Sequence, residues 1–196
     1  MKVFLLESKP GTRFHFGKAL GAFTEETHNT QKTTSDYLHS DTLWSALVNA
    51  WALSCPESVD AFVTNCFNGN FKISSAFYCY IQPLQNGQSE KHKPVYFLPK
   101  PAILNLFDYP KPKELKKIRF ISKGVWKNGL LPNDWFDDDK CVRLQNETAV
   151  ALKSEISESF KLFSIETSAK TSARDITNRE DVFYFQTDLY LSDNVQ

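Results

Sequence analysis

Cysteine, glycine and net charge are all scarce in this chain of 196 residues. Its four cysteines, Cys55, Cys66, Cys79 and Cys141, form no C-x-x-C pair, and the chain is too long for a small disulfide scaffold. Free thiols in a reducing cytosol are therefore expected. Lysine plus arginine balance aspartate plus glutamate at 23 each. This removes the global basic signature of many nucleic-acid binders and confines any such role to local patches. No apolar run approaches the roughly 18 residues that a spanning helix needs, and the opening run Met1 to Glu7 is far too short for a secretory signal. The expectation is a soluble, cytoplasmic protein with no membrane partner. H-x-E and H-E-x-x-H spacings are absent, the Asp137-Asp138-Asp139 run lacks helical spacing, and neither a P-loop nor a dinucleotide fingerprint occurs. Neither a metal nor a cofactor is expected.

What is present is apolar and aromatic. Hydrophobic residues make up 41% and aromatics 14%, which argues against disorder of the whole chain and for one globular domain with a sizeable core. Val3 to Ser8 reads as a first strand stopped by Pro10-Gly11, and Arg13 to Gly17 as a short extended piece. Lys18 to Tyr37 is aperiodic and predicts a loop. The spacing of Leu43, Trp44, Leu47, Val48, Ala50 and Trp51 predicts a helix over Asp41 to Leu53, with Ser40 or Asp41 as N-cap. A second helix is expected from Pro56 to about Phe67, where Asn68-Gly69 breaks it.

Phe71 to Tyr80 alternates as a strand should, and Val95 to Leu98 predicts its hairpin partner across a polar tip at Gln85 to Lys93. For Leu115 to Ile121 the pattern decides neither helix nor strand. An acidic cluster, Asp134 to Asp139, precedes a polar stretch between Glu147 and Phe163 that reads as helical, within a region that has the character of an insertion. Val182 to Leu191, dense in aromatic and β-branched residues, predicts a closing strand. The succession fits an α+β, ferredoxin-like or RRM-like plan, an antiparallel sheet with helices on one face.

The candidate chemistry sits in three places. His39-Ser40-Asp41-Thr42 opens an apolar helix, and Phe14-His15-Phe16-Gly17 precedes it. Hydroxyls at a helix start beside a histidine suit an anion, with Ser40 and Thr42 as donors and His15 against a base or phosphate. The competing reading has Ser40 as a cap, Asp41 as a dipole partner and His15 as a packed loop residue. Lys111, Lys113, Lys116, Lys117, Arg119, Lys123 and Lys127 stand among one acid, Glu114, and are interleaved with Phe120 and Trp126. Cations with an aromatic suit single-stranded RNA, and a solvated lysine surface is the alternative. Arg174 and Arg179 stand shortly before the closing strand, where salt bridging to Glu180 or Asp181 competes. A metal-independent ribonuclease would need two converging groups, and His15 with His39 is the pair to consider.

Taken in order, Phe14-His15-Phe16-Gly17, His39 to Leu47, Ser74-Ser75-Ala76-Phe77, Tyr96-Phe97-Leu98-Pro99-Lys100-Pro101 and Asn178-Arg179 resemble the motifs of the fourth subunit of the type III-A CRISPR (Csm) effector complex, a member of the RAMP superfamily. The resemblance covers roughly residues 3 to 190. It implies a non-catalytic protein that holds the 5′ repeat tag of the crRNA, caps the backbone filament of RAMP subunits, docks the large polymerase-like subunit and meets target RNA only indirectly. The RNA-binding residues would be His15, Phe16, Gly17, His39, Ser40, Thr42, Lys123, Trp126, Lys127, Arg174 and Arg179. The alternative is a repeat-processing endoribonuclease of the same superfamily. The expected organisation is a single ferredoxin-like domain over 1–196 with an insertion at about 104–170. Members usually carry two such units and a Gly-rich loop. This chain has seven glycines and no Gly-rich loop, so either it is part of a longer chain or a partner supplies the second unit.

Overall fold

A computed structural model describes residues 2–9, 11–16, 31–32, 34–82, 94–102, 108–172 and 182–196. Among them the chain is α+β and falls into two compact units. The first comprises 1–13, 77–166 and 189–196, the second 14–76 and 167–188.

In the first unit, five strands form one sheet, in the spatial order Cys79–Tyr80, Val95–Pro99, Phe120–Ser122, Ala149–Leu152, Cys141–Leu144. β3 (Cys79–Tyr80) pairs antiparallel with β4 (Val95–Pro99), Cys79 opposite Tyr96. β4 pairs antiparallel with β5 (Phe120–Ser122), which runs parallel to β7 (Ala149–Leu152). β6 (Cys141–Leu144) closes the row antiparallel to β7. The predicted hairpin exists, but only its last two residues before the tip are strand, and the tip lies outside the described residues. On its other edge the backbone of Cys79 exchanges hydrogen bonds with Gln196, at 2.6 and 2.8 Å.

The core of this unit is Leu115, Ile118, Ile121, Val125, Trp135, Cys141 and Val150, so the stretch read as an insertion supplies its centre. Leu115 sits on α3 (Pro112–Lys117), which has Pro at its first position, and Val125 on α4 (Lys123–Lys127). Lys100 of the Phe-Leu-Pro-Lys-Pro run donates from its ammonium to the Leu115 carbonyl in the last turn of α3, where a cation also meets the negative end of the helix. Burial holds the Lys100 pKa below the usual lysine value, and Phe97 beside it is fully buried. This run is a structural clamp.

The polar helical reading of Glu147 to Phe163 is overturned: β7 and turns occupy it. Three consecutive residues at the β6–β7 connection, Gln145, Asn146 and Glu147, have φ of 51°, 53° and 68°. This left-handed conformation favours glycine, and no glycine is present to announce it. The buried Gln145 side chain holds the turn. Its Oε1 accepts from Leu162 N at 2.6 Å and Phe163 N at 3.0 Å, and its Nε2 donates to Phe163 O at 3.0 Å.

At the start of α4, Ser122 Oγ accepts from Val125 N and donates to Glu155 Oε2 at 2.5 Å. A Cβ on Gly124 would collide with the Glu155 carboxylate. Gly124→Ala is expected to lower stability by about 1–3 kcal/mol in urea unfolding, and much less in a Glu155→Ala background. Additive costs in that double-mutant cycle would contradict the contact.

All four cysteines are free thiols. Burial pushes Cys79 and Cys141 from the ordinary 9.0 up to about 11. The native state thus keeps protons that the unfolded chain releases, so this contribution is whole below pH 9 and lost toward 11. The urea midpoint should fall across that window, and less steeply in Cys79→Ala/Cys141→Ala. Equal slopes would refute the assignment.

The second unit holds α1 (Ser40–Ser54), a 3-10 turn at Pro56–Ser58 and α2 (Val59–Phe67), close to the predicted pair. α2 ends as the Asn68-Gly69 signal demands, with Gly69 at φ +74°. Phe62 stacks between Trp44 and Trp51, at ring distances of 5.2 and 4.8 Å, and Phe71 lies 5.8 Å away. Such pairs are worth about 0.5–1.5 kcal/mol each beyond their burial. Trp44 is therefore half-buried in an aromatic stack.

A four-stranded set has β9 (Val182–Leu191) between β1 (Arg13–Phe14) and β2 (Gln31–Lys32), with β8 (Phe163–Ser172) also on β9. β9 is the predicted closing strand. β2 runs parallel to it, Gln31 opposite Phe185, within a segment expected to be loop. The sheets are thus mixed, not wholly antiparallel.

Val3 to Ser8 forms no strand. Phe4 is 80% exposed, and among the described residues no strand pairs with this segment to hold it extended.

Candidate functional site

Within the second unit, three motifs widely separated in sequence meet at the start of α1. The Phe16 amide donates to Thr34 Oγ1 at 2.9 Å, and the Ser35 amide returns to Phe16 O at 2.6 Å. Ser35 Oγ bonds His39 Nε2 at 2.9 Å, and the Tyr37 ring lies 4.2 Å from that imidazole. The Ser40 amide donates to Ser75 Oγ at 3.0 Å, and the Ala76 amide to Leu38 O at 2.9 Å. Phe14-His15-Phe16, Thr34 to Thr42 and Ser74-Ser75-Ala76 are thus one hydrogen-bonded assembly.

This geometry corrects the capping assignment. His39 is the N-cap, in extended conformation and without a side-chain cap bond, and Ser40 is the first helical residue. A hydroxyl from outside the helix, Ser75, satisfies the Ser40 amide, the first of the orphan amides of the opening turn. Ser40 Oγ lies 3.4 Å from Asp41 Oδ1. Asp41 stands in the first turn, as a dipole partner should. Thr42 is exposed.

His15 is held from behind. Its Nδ1 lies 2.8 Å from Thr187 O and 3.9 Å from Asp188 Oδ1, and the side chain keeps 29% of its exposure. A carbonyl can only accept, so Nδ1 carries the proton and Nε2 of the neutral ring is the acceptor. Asp188 is buried and accepts a hydrogen bond from Gln186 Nε2 at 2.7 Å. Phe16 stacks on Phe14 at 5.5 Å.

The second cluster lies on the first unit. Val125 anchors α4 in the core. Lys123, Trp126 and Lys127, at i, i+3 and i+4, then share its outer face. All three are exposed, Trp126 by 54%. Lys123 Nζ stands 5.5 Å from the Tyr96 ring centre, within cation–π range. On α3, Lys113, Lys116 and Lys117 are exposed while Leu115 is buried. Lys111 pairs with Glu114 at 3.6 Å and lies 5.1 Å from the Phe136 ring centre.

The acidic cluster is neutralised locally. Lys140 reaches Asp134 at 2.6 Å and Asp137 at 3.4 Å, and Arg143 reaches Asp138 at 3.2 Å. The Lys140 hydrogen bond holds the Asp134 carboxyl below the usual carboxylate range, and Asp134 raises Lys140 in return.

Gly17, Arg174, Arg179, the Lys91 to Lys93 tip and His28 lie outside the described residues. Sequence reasoning missed Thr34, Ser35, Thr187 and Asp188 altogether, and quoted Ser75 without a role. The hydroxyl run Thr33-Thr34-Ser35 was the one available signal. Among the described residues no three His, Cys, Asp or Glu side chains gather as metal ligands, and no helix is long and apolar enough to cross a membrane. Neither a family model nor a curated protein matches this chain.

Proposed function

We propose that the chain is a non-catalytic RNA-binding subunit that anchors the 5′ repeat tag of a guide RNA and caps a type III CRISPR interference complex in antiviral defence. The observation that carries this reading is the convergence of Phe14 to Phe16, Thr34 to Thr42 and Ser74 to Ala76 at one helix start. Three of the five motif segments that resemble the fourth Csm subunit are then one assembly of hydroxyls, amides, imidazole and aromatic rings. The Asp41 and Thr42 amides at that start lack intrahelical partners by their position in the first turn, and the partly exposed His15 engages Thr187 through Nδ1, which leaves Nε2 as the ring's acceptor. Lys123, Trp126 and Lys127 supply a second contact of the kind single-stranded RNA uses: charge for phosphate, a ring for a base.

In this reading the large polymerase-like subunit and the backbone RAMP subunit are the chain's protein partners, and target RNA is met through the guide. Repeat-tag RNA should bind, more weakly as salt rises, and remain intact on prolonged incubation.

One observation favours a second reading, a repeat-processing endoribonuclease. His15 is oriented by Thr187 O against buried Asp188, as a general base is oriented. Cleavage of repeat RNA that disappears in His15→Ala would establish that reading and overturn the first.

A further inference from the structure

His15 is the side chain of this assembly whose hydrogen-bonding sense is fixed by the backbone of another element. Its Nδ1 donates to Thr187 O at 2.8 Å, and Thr187 is buried in β9. Nε2 is then the ring's one remaining polar atom, and in the neutral ring it can only accept. No described residue bonds it, while the side chain keeps 29% of its exposure. The imidazole is an acceptor set in advance.

Its surroundings decide what that acceptor can take. Asp188, buried next to Thr187, brings Oδ1 to 3.9 Å from Nδ1 and is itself held by Gln186 Nε2 at 2.7 Å. A phosphate oxygen only accepts, so it would gain no bond from Nε2 and would meet the repulsion of the Asp188 carboxylate. A base edge fits poorly as well. The pairing edges of all four bases set donors beside acceptors, whereas the groups that contact the ring, Thr187 O and Asp188, add no donor. A ribose 2′-hydroxyl needs a single acceptor for its proton. That hydroxyl is also the group that separates RNA from DNA.

Building on the RNA reading above, on which this step rests, we infer that His15 is the residue by which the site selects RNA over DNA, its Nε2 accepting a hydrogen bond from a ribose 2′-hydroxyl. This contact replaces the base or phosphate contact expected for His15 from the sequence.

The test titrates the full chain by fluorescence anisotropy with labelled repeat-tag RNA, and with tag RNAs that carry 2′-fluorine at one nucleotide at a time. Fluorine keeps the ribose pucker of RNA and cannot donate. At one position it should weaken binding by about three- to tenfold, the worth of one hydrogen bond. His15→Ala should weaken the unmodified RNA by the same factor and bind that fluorinated RNA no worse than the parent does, so that the two losses do not add. The preference for tag RNA over the all-deoxy strand should shrink by the same factor. His15→Phe keeps a ring, removes the acceptor and should behave alike. Full binding at every fluorinated position, or a loss undiminished in His15→Ala, would overturn the inference and leave the RNA reading standing. So would non-additivity of His15→Ala with a methylphosphonate, which makes a phosphate the contact, or with a base stripped of its amino group, which makes a base the contact. Failure of the unmodified tag RNA to bind would overturn the RNA reading and the inference with it. The fluorine scan leaves the protein untouched, so its outcome does not depend on how a variant folds.

Discussion

Replacing Lys123, Trp126 and Lys127 together by alanine should weaken single-stranded RNA binding by about tenfold to a few hundredfold. The magnitude has two parts. A base stacked on an indole is worth about 1–3 kcal/mol by alanine substitution, and Trp126 exposes 54% of its surface for that use. Each lysine that neutralises a phosphate on a single strand adds about 0.7 to the salt slope, so removing two should lower the slope by about 1.4. The fold should not suffer, because Val125 holds α4 in the core and the three replaced side chains stand outside it. Anisotropy titrations across a salt series measure both quantities. An unchanged slope would leave the cluster a solvated lysine surface.

Gln145→Ala is expected to destabilise the protein by about 2–4 kcal/mol. The side chain receives two backbone amides, Leu162 and Phe163, and donates to the Phe163 carbonyl. Leu162 and Phe163 are buried, so water does not readily replace the lost partner, and stranded backbone groups cost more than an average hydrogen bond gains. The loss would also release a turn whose three residues already occupy the left-handed region. Gln145→Glu should fare little better, since it removes the donor and buries a charge. Urea unfolding measures the cost, and a change below about 0.5 kcal/mol would show the turn to be held by other means.

That turn also shows where the sequence stopped being legible. α1, α2 and β9 are long and strongly patterned, with Pro56 and Asn68-Gly69 as punctuation, and they stand close to where the pattern places them. β6 and β7 have four residues each, too short for periodicity, and their turn relies on a glutamine side chain in place of glycine. Val3 to Ser8 has the right residues for a strand but pairs with no strand among the described residues. Phe71 to Tyr80 alternates well, yet only Cys79 and Tyr80 find a ladder.

The candidate site divides the same way. Its motif residues were visible as motifs. Their partners Thr34, Ser75 and Thr187 lie 18, 35 and 172 residues away in sequence, a relation that no local pattern encodes. The Tyr96 to Pro101 run shows the converse. It carries much of the resemblance, while Phe97 and Lys100 serve packing and helix capping.

The most direct measurement is photo-crosslinking of a 4-thiouridine-substituted repeat-tag RNA to the full chain, with the adducts mapped by mass spectrometry. Adducts are expected on the peptides that contain His15 and Phe16, His39 to Thr42, or Trp126, all suppressed by unlabelled tag RNA. Absence of adducts, or adducts confined to peptides remote from both clusters, would contradict the RNA reading.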